Sequence, residues 1–140
     1  MNKSTTIYLT ETDRERIGNL IQSIRDGGDR ANSAYIKTLE EGIEFADVVD
    51  SHEIPPSIVT MRSKVKLKDL DTGEESIYTI VFPTETNIDE GKISILAPLA
   101  SSLLGHRCGD TVEFQAPSRT RRLRIEEILY QPESAGDYNR

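Results

Sequence analysis

The chain has 140 residues, of which 36% are hydrophobic and 29% charged, and its formal net charge at pH 7 is −7. The negative charge argues against sequence-independent binding of nucleic acid, which requires a basic surface that displaces phosphate counterions. No apolar run approaches the ~20 residues that span a bilayer, and the first residues show no secretory pattern. Because the single cysteine, Cys108, also excludes an intramolecular disulfide, we expect a cytoplasmic protein without membrane contact.

The first third of the chain has the apolar spacing of an amphipathic helix. Thr10 precedes an acidic first turn and is the predicted N-cap, with Asp13 three residues later in a position typical of a capping box. The predicted apolar stripe consists of Ile17, Leu20, Ile21 and Ile24. The glycines in the run Asp26-Gly27-Gly28-Asp29 should end this helix, since paired glycines favour a turn.

A second helix is predicted after these glycines, capped by Asn32 or Ser33. Its shared apolar face would contain Tyr35, Leu39, Gly42, Ile43 and Ala46. Two one-faced helices joined by a short turn are typical of an antiparallel helical hairpin. With about 15 residues in the first helix, at ~1.5 Å per residue, this arm would be about 22 Å long.

The predicted hairpin is acidic, with eleven Asp or Glu between Glu11 and Glu53 against five Lys or Arg. A solvated outer surface is the simplest interpretation of this charge. Asp26 and Asp29 differ from the others because they flank the glycines at the predicted tip, where aspartates commonly form turns and caps.

Pro55 and Pro56 lie in a linker-like run, 51–57, through which a helix cannot continue. We place a boundary there, which gives an N-terminal hairpin at 1–53 and a second domain at 54–140. Beyond the boundary, apolar and polar residues alternate, and this period predicts β-strands. The predicted strands, in antiparallel order, are 64–68, 77–82, 93–96, 110–115 and 123–130, with a turn at Ala116-Pro117-Ser118 between the last two.

One short helix is predicted inside the second domain, between Lys92 and Gly109. Pro98 fits its first turn because the φ of proline is fixed and its missing N–H is not needed there. The spacing of Leu99, Leu103 and Leu104 gives two turns with one buried face, and Gly105 suits the position after a helix end. Five strands with one inserted helix predict a small α+β domain.

The sequence contains no self-contained catalytic or metal site. His106 and Cys108 supply two ligands where zinc needs four, so a turn with a buried cysteine is a simpler interpretation than a metal site. Gly27-Gly28 lacks the lysine of a phosphate-binding loop. The one basic cluster is either a face for an acidic partner or, more simply, a solvated strand edge that discourages strand addition; it comprises Arg119, Arg121, Arg122 and Arg124. We predict no enzyme activity, no metal and no cofactor.

The second half of the chain resembles the C-terminal domain of the Gre transcript-cleavage factors. The resemblance is carried by the runs DLDTGEESIYTIVFP, GKISILAPLASSLLGHRCGDTVEFQAP and RRLRIEEILY. The ending YQPESAGDY, the run IPPSIVTMRSKVKLKDL and the short N-terminal arm are similar to the regulators of nucleoside diphosphate kinase (Rnk), a Gre-related bacterial family. The resemblance covers about residues 54–138 and, more loosely, the hairpin.

This resemblance implies an α+β fold with a short N-terminal antiparallel helical hairpin and a C-terminal FKBP-like antiparallel sheet with one short helix. Gre-type C-terminal domains dock on RNA polymerase at the rim of its secondary channel, through the loop before the short helix. The positions that match this polymerase-binding loop are Leu96, Ala97, Pro98, Leu99, Ser101 and Ser102. The fold by itself implies no prolyl isomerase activity.

The resemblance also bears on transcript cleavage. In cleavage factors a long coiled coil carries acidic residues to the polymerase active centre, where they help to hold a catalytic Mg²⁺. Gre tips have Gly-Asp followed three residues later by Glu, whereas Gly28-Asp29 is followed by Arg30-Ala31-Asn32. Because the predicted arm is also much shorter, its tip should fall short of the active centre. The resemblance therefore implies that Asp26 and Asp29 contact at most the channel mouth.

Three functions remain open at this point. The first is a regulator that docks on RNA polymerase, competes with Gre factors and is linked through its family to control of nucleoside diphosphate kinase. The second is an active Gre-like cleavage factor. The third is a peptide-binding or isomerase-like module, but the aromatic fraction is only 6%, and such pockets are usually lined with aromatic side chains. No direct sequence-specific contact with nucleic acid is expected.

Overall fold

A computed structural model describes residues 7–27, 30–115 and 119–136, and for 30–35, 38, 114 and 115 it describes the backbone alone. Its α-helices are α1 (Glu11–Asp26), α2 (Arg30–Glu44) and α3 (Pro98–Leu103). Its strands are β1 (Tyr8–Thr10), β2 (Asp47–Val49), β3 (Lys64–Asp69), β4 (Glu75–Val81), β5 (Lys92–Ser94), β6 (Thr111–Gln115) and β7 (Thr120–Tyr130). Two short 3₁₀-helices, Pro83–Glu85 and Ile88–Glu90, lie between β4 and β5.

Helix α1 begins as predicted, because the Thr10 side-chain oxygen accepts a hydrogen bond of 3.0 Å from the Asp13 N–H. Helix α2 begins at Arg30, so the predicted cap at Asn32 or Ser33 is wrong. Asn32 and Ser33 lie inside the first turn of α2, so neither can be the residue that precedes the helix. Position 29 and the side chain of Tyr35 lie outside the described part of the chain.

The two helices run antiparallel and form the arm. Gly18 in α1 lies beside Ile43 in α2 along one groove, and the Arg25 guanidinium near the end of α1 makes two hydrogen bonds, of 3.0 and 2.7 Å, to the Glu40 carboxylate. Ile36 and Leu39 provide the buried face of α2, with exposed fractions of 5% and 3%. The contact between Arg25 and Glu40 is exposed, so its net contribution to stability is small.

A two-stranded parallel sheet that the sequence did not predict holds the base of the arm. Strand β1 enters the arm, β2 leaves it, and the two pair from Tyr8–Asp47 to Thr10–Val49. The Asp47 N–H donates to the Ile7 carbonyl at 2.9 Å, and the Tyr8 N–H donates to the Gly105 carbonyl at 3.1 Å. The second of these bonds connects the base of the arm to the end of α3.

The second sheet has the strand order β5-β4-β3-β7-β6. The predicted α+β class is confirmed, and the pairs β3–β4, β3–β7 and β6–β7 are antiparallel. The pair β4–β5 is parallel, which corrects the fully antiparallel order. The connection through the two 3₁₀-helices returns the chain to the middle of β4, where the Thr79 N–H donates to the Gly91 carbonyl at 2.8 Å. Strand β5 therefore runs in the same direction as β4.

Within the described residues, one cluster of buried side chains joins the arm to the larger sheet. It includes Leu9 and Ile17 from the arm, Leu103 from α3, and Val65 and Ile125 from the sheet, each fully buried. The predicted division into 1–53 and 54–140 stays a prediction, and the core crosses it. No helix among the described ranges is long and apolar enough to cross a membrane.

The arginine cluster is not at a sheet edge, so that interpretation was wrong. Strand β7 lies between β3 and β6. The guanidinium groups of Arg119 and Arg121 contact Asp69 Oδ2 at 3.4 and 3.1 Å, and Arg122 contacts Asp71 Oδ1 at 2.9 Å. Backbone N–H bonds from the following turn, together with these arginines, lower the pKa of Asp69 to about 2. These three arginines therefore hold the β3–β4 turn against the beginning of β7.

The turn that contains Cys108 also differs from its prediction. The thiol is exposed rather than buried, and it contacts the Glu126 carbonyl at 3.3 Å. His106 Nδ1 lies 3.4 Å from Asp110 Oδ2. Among the residues with a described placement, no group of three or more His, Cys, Asp or Glu could hold a metal ion.

Candidate functional site

The loop before α3 is held in place by two hydrogen bonds to Ser94. The Ser94 hydroxyl accepts a hydrogen bond of 3.0 Å from the Leu96 N–H, and the Ser94 carbonyl accepts one of 2.9 Å from the Ala97 N–H. Pro98 then occupies the first turn of α3, as predicted from its fixed φ. This tight turn between β5 and α3 presents Pro98 to solvent on a rigid support.

The six predicted polymerase-binding residues differ in exposure. Pro98 is exposed, whereas Ala97, Leu99, Ser101 and Ser102 are partly buried. Leu96 belongs to the core with an exposed fraction of only 8%. A partner that approaches this loop would therefore meet Pro98 first and the outer part of Leu99 second.

The two serine hydroxyls of this loop are already bonded within α3. Ser101 Oγ donates to the Pro98 carbonyl at 3.2 Å, and Ser102 Oγ donates to the same carbonyl at 2.7 Å. These bonds satisfy a carbonyl in the first turn of a six-residue helix and favour its regular geometry. The hydroxyl hydrogens are therefore engaged within α3, while each hydroxyl oxygen can still accept a hydrogen bond.

The arm tip is described as far as Gly27. Asp26 is the last residue of α1, and its Oδ1 accepts a hydrogen bond of 2.8 Å from Gln22 Nε2. Asp29, the other predicted tip residue, lies outside the described residues. The one tip carboxylate with a described position is therefore partly engaged by its own helix.

The base of the arm contains a buried carboxylate that the sequence assigned only to capping. Asp13 is 4% exposed, and its Oδ2 accepts a hydrogen bond of 3.0 Å from the Met61 N–H across the junction with the sheet. Burial, with a smaller contribution from the negative charge of Glu133, raises the pKa of Asp13 to about 7 in spite of that hydrogen bond. Asp13 thus fixes α1 to the segment that precedes β3.

The C-terminal segment closes over the same junction. Gln131 is 2% exposed, and its Nε2 donates to the carbonyls of Pro55 and Ile58 at 2.8 and 2.7 Å. The Glu133 carboxylate accepts a hydrogen bond of 2.7 Å from Thr60 Oγ1. The run QPES near the C-terminus therefore has a structural role: it satisfies the backbone of the diproline segment and brings a second carboxylate towards Asp13.

A groove of about 730 Å³ lies between α1 and the first 3₁₀-helix, and its lining mixes polar side chains with Leu20 and Phe82. Arg62 lies on one wall with a positive φ of 67°. Its guanidinium packs over the Phe82 ring at 5.5 Å and forms an ion pair with Glu85, with Nη2 to Oε2 at 2.8 Å. The charge of Arg62 is thus balanced within the protein.

Among known protein families, a profile described as "Transcription elongation factor, GreA/GreB, C-term" matches residues 54–130. That range contains the whole larger sheet and α3, which is more than half of the chain. The chain belongs to the Gre family.

Relatives of this Gre-family chain include both regulators and elongation factors. It is 34% identical over 134 residues to a regulator of nucleoside diphosphate kinase from Escherichia coli K12, covering 95% of this chain and 96% of the relative. It is 35% identical over 133 residues to a transcription elongation factor GreA from Magnetococcus marinus, covering 85% of each. The predicted similarity to the regulator family is therefore confirmed.

A solved structure supports the fold assignment. The Gre-family chain matches a GreA/GreB elongation factor from Nitrosomonas europaea with a TM-score of 0.74 and 36% identity, over 89% of this chain and all of that one. The predicted combination of a helical arm and a Gre-type sheet domain is therefore confirmed.

Proposed function

We propose that this Gre-family protein is a regulator that docks on RNA polymerase at the rim of the secondary channel without stimulating transcript cleavage. Docking uses the loop before α3, with Pro98 as its exposed contact and Leu99 beside it. The short acidic arm then occupies the channel entrance and competes there with longer Gre factors. The relative from Escherichia coli, which aligns over almost its whole length, supports a link to control of nucleoside diphosphate kinase.

The length of the arm supports this proposal most directly. Helix α1 has 16 residues, which gives about 24 Å at ~1.5 Å per residue. The carboxylates of a Gre-type tip hold Mg²⁺ through oxygens at about 2 Å, so a shortfall of one helical turn removes the ligand. Asp26 is also partly engaged by Gln22. An arm of this length blocks a channel mouth without reaching the chemistry at its far end.

An active cleavage factor is the alternative, and the 35% identity to the GreA of Magnetococcus marinus favours it. Backtracked transcription complexes incubated with the protein should keep their RNA at full length, because the tip does not reach the catalytic metal. The same complexes incubated with a GreA factor provide the positive control. Shortened RNA in the presence of this protein would establish the alternative.

Replacing Pro98 by glutamate should weaken binding to purified core polymerase by about tenfold, since a charge placed in an apolar contact must be desolvated. Leu99→Glu should act in the same direction. Binding is measured by fluorescence anisotropy with labelled protein, and its loss on addition of a GreA factor tests the competition.

A matched control for this experiment is Leu70→Glu, which introduces the same charge at a residue that is 36% exposed in the β3–β4 turn. It should bind as the natural chain does. Urea unfolding of all variants shows whether the fold is kept. Equal affinity of Pro98→Glu and Leu70→Glu would remove the α3 loop from the docking surface.

A further inference from the structure

Docking through the α3 loop does not explain why the side chain of Phe45 is exposed. It follows α2 directly, and 80% of its surface is exposed. Burial normally stabilises an apolar ring of this size, and here the ring is left exposed. Exposed aromatic residues beside a groove are typical of protein–protein contacts.

The ring stands at the edge of a groove of about 530 Å³ that combines the arm with the sheet domain. Ile7 and Gly42 contribute from the arm, and Leu104 and Val112 contribute from the segment after α3 and from β6. Ser101 and Ser102 of the α3 loop line the same groove. The groove therefore adjoins the loop proposed to dock on polymerase.

The rim of this groove is acidic. Glu41 and Glu113 line it, and both are exposed, as are Glu44 and Asp47 on either side of Phe45 in the sequence. The imidazole of His106 also faces the groove, but it lies 3.4 Å from Asp110. An apolar wall with carboxylates at its edge is complementary to an apolar side chain flanked by lysine or arginine.

We propose that this groove, which we call the Phe45 groove, binds a basic segment of RNA polymerase that inserts an apolar side chain against the Phe45 ring. The inference rests on the proposed function and extends it, because it makes the base of the arm a part of the docking surface. The arm is then fixed on the polymerase at two points, the α3 loop and Phe45.

Charge argues against the other occupants of the Phe45 groove. A symmetric contact between two copies of the chain would bring the same acidic rim against itself, which is repulsive. Nucleic acid is disfavoured in the same way. The six residues that precede Ile7, MNKSTT, contain one apolar side chain, which is too little to cover both the ring and the apolar wall.

The proposal predicts that Phe45→Ala weakens binding to core polymerase by about thirty-fold, as expected for an aromatic anchor at an interface. Phe45→Leu should retain much of the affinity, because it remains apolar. The matched control is Ile88→Ala, which removes a side chain that is 84% exposed beside β5, at the opposite edge of the sheet from β6. Since both residues are exposed, neither substitution should change the free energy of unfolding.

The salt dependence of polymerase binding tests the contribution of the acidic rim. Glu41→Gln should weaken binding by about threefold at low salt, and the difference should vanish at high salt. Glu74→Gln in the exposed β3–β4 turn removes the same charge away from the groove and should have no effect. A salt-independent loss, or an equal loss in both variants, would contradict a basic partner.

Cross-linking distinguishes the inference from the proposed function. Benzoylphenylalanine at position 45 should cross-link to a polymerase segment that contains lysine or arginine, as should the same group at position 98 in the α3 loop. Cross-links from position 98 alone would overturn the Phe45 groove and leave docking intact. Absence of polymerase binding by the natural chain would overturn both. Cross-links to a second copy of the protein, or a change of oligomeric state in Phe45→Ala, would assign the groove to self-association.

Discussion

The Asp13→Asn variant should be more stable than the natural chain at pH 8 and nearly equal to it at pH 4. The unfolded chain releases the proton of Asp13 near pH 4, whereas the folded chain holds it up to about pH 7. Between these values the folded state binds more protons than the unfolded state, so stability falls as the pH rises. The pKa of Asp13 differs by about three units between the folded and unfolded states. At ~1.4 kcal/mol per unit, the stability difference between the two proteins is at most about 4 kcal/mol.

The measurement is urea unfolding of both proteins at five pH values from about 4 to about 8 (roughly one pH unit apart), with the free-energy difference between them plotted against pH. Carboxylates away from this junction, such as Asp69, titrate alike in both proteins and cancel in the difference, whereas Glu133, whose charge acts on Asp13, is part of the measured effect. Asparagine keeps an oxygen that accepts the Met61 N–H, so any change reports the charge. A difference that does not vary with pH would show that Asp13 is ionised throughout.

The Asp13→Ala variant provides the control for the hydrogen bond. Alanine removes the acceptor and leaves the Met61 N–H buried without a partner, which costs about 1–3 kcal/mol. This variant should be less stable than Asp13→Asn at every pH. If alanine and asparagine were equally stable, the contact between α1 and Met61 would not hold the arm.

Local rules explain which elements could be predicted from the sequence. The Thr10 cap, the start of α3 at Pro98 and the positive φ of Gly105 each depend on a few neighbouring residues. Polar and apolar residues alternate in Lys64–Asp69 with the period of a strand that has one solvated face, and the structure confirms this strand. These features were predicted because their physical causes lie within one turn or one strand.

Contacts between distant residues explain the errors. The direction of β5 depends on a connection of ten residues, and the period of a strand does not reveal whether its partner is parallel. The arginines of β7 meet Asp69 and Asp71 about fifty residues away in the chain, so their neighbours could not show that they are paired. Strand β2 has only three residues and no distinct alternation.

Only part of the candidate site could be predicted from the sequence, for a similar reason. The residues proposed for docking came from a resemblance, and the burial of Leu96 depends on the packing of the whole sheet. Asp13 did leave a signal, since it lies four residues before Ile17 and eight before Ile21, on the same helical face. A carboxylate in line with a buried stripe needs a partner across the interface, and here that partner is Met61.

Replacing Gly105 by alanine should destabilise the protein by about 2–5 kcal/mol. Its φ is +83°, where a side chain costs roughly 1–2 kcal/mol. A Cβ atom there would also lie 2.8 Å from the Ile7 Cβ and 3.1 Å from the Tyr8 carbonyl oxygen, and relief of such crowding costs a further ~1–3 kcal/mol. Because the Gly105 carbonyl accepts the Tyr8 N–H, the strain acts directly on β1.

The matched control is Gly73→Ala, since Gly73 has a φ of +79° and an added Cβ atom there would have no neighbouring atom within 4 Å. This variant has only the energetic cost of a side chain at positive φ. The difference in unfolding free energy between the two variants therefore measures the crowding against β1. Hydrogen exchange at Tyr8 and Asp47 should accelerate only in Gly105→Ala. Equal losses in both variants would mean that β1 moves aside without strain. Gly105 lies two residues after α3, so its contact with β1 is one link, beside the shared core, between the proposed docking loop and the arm.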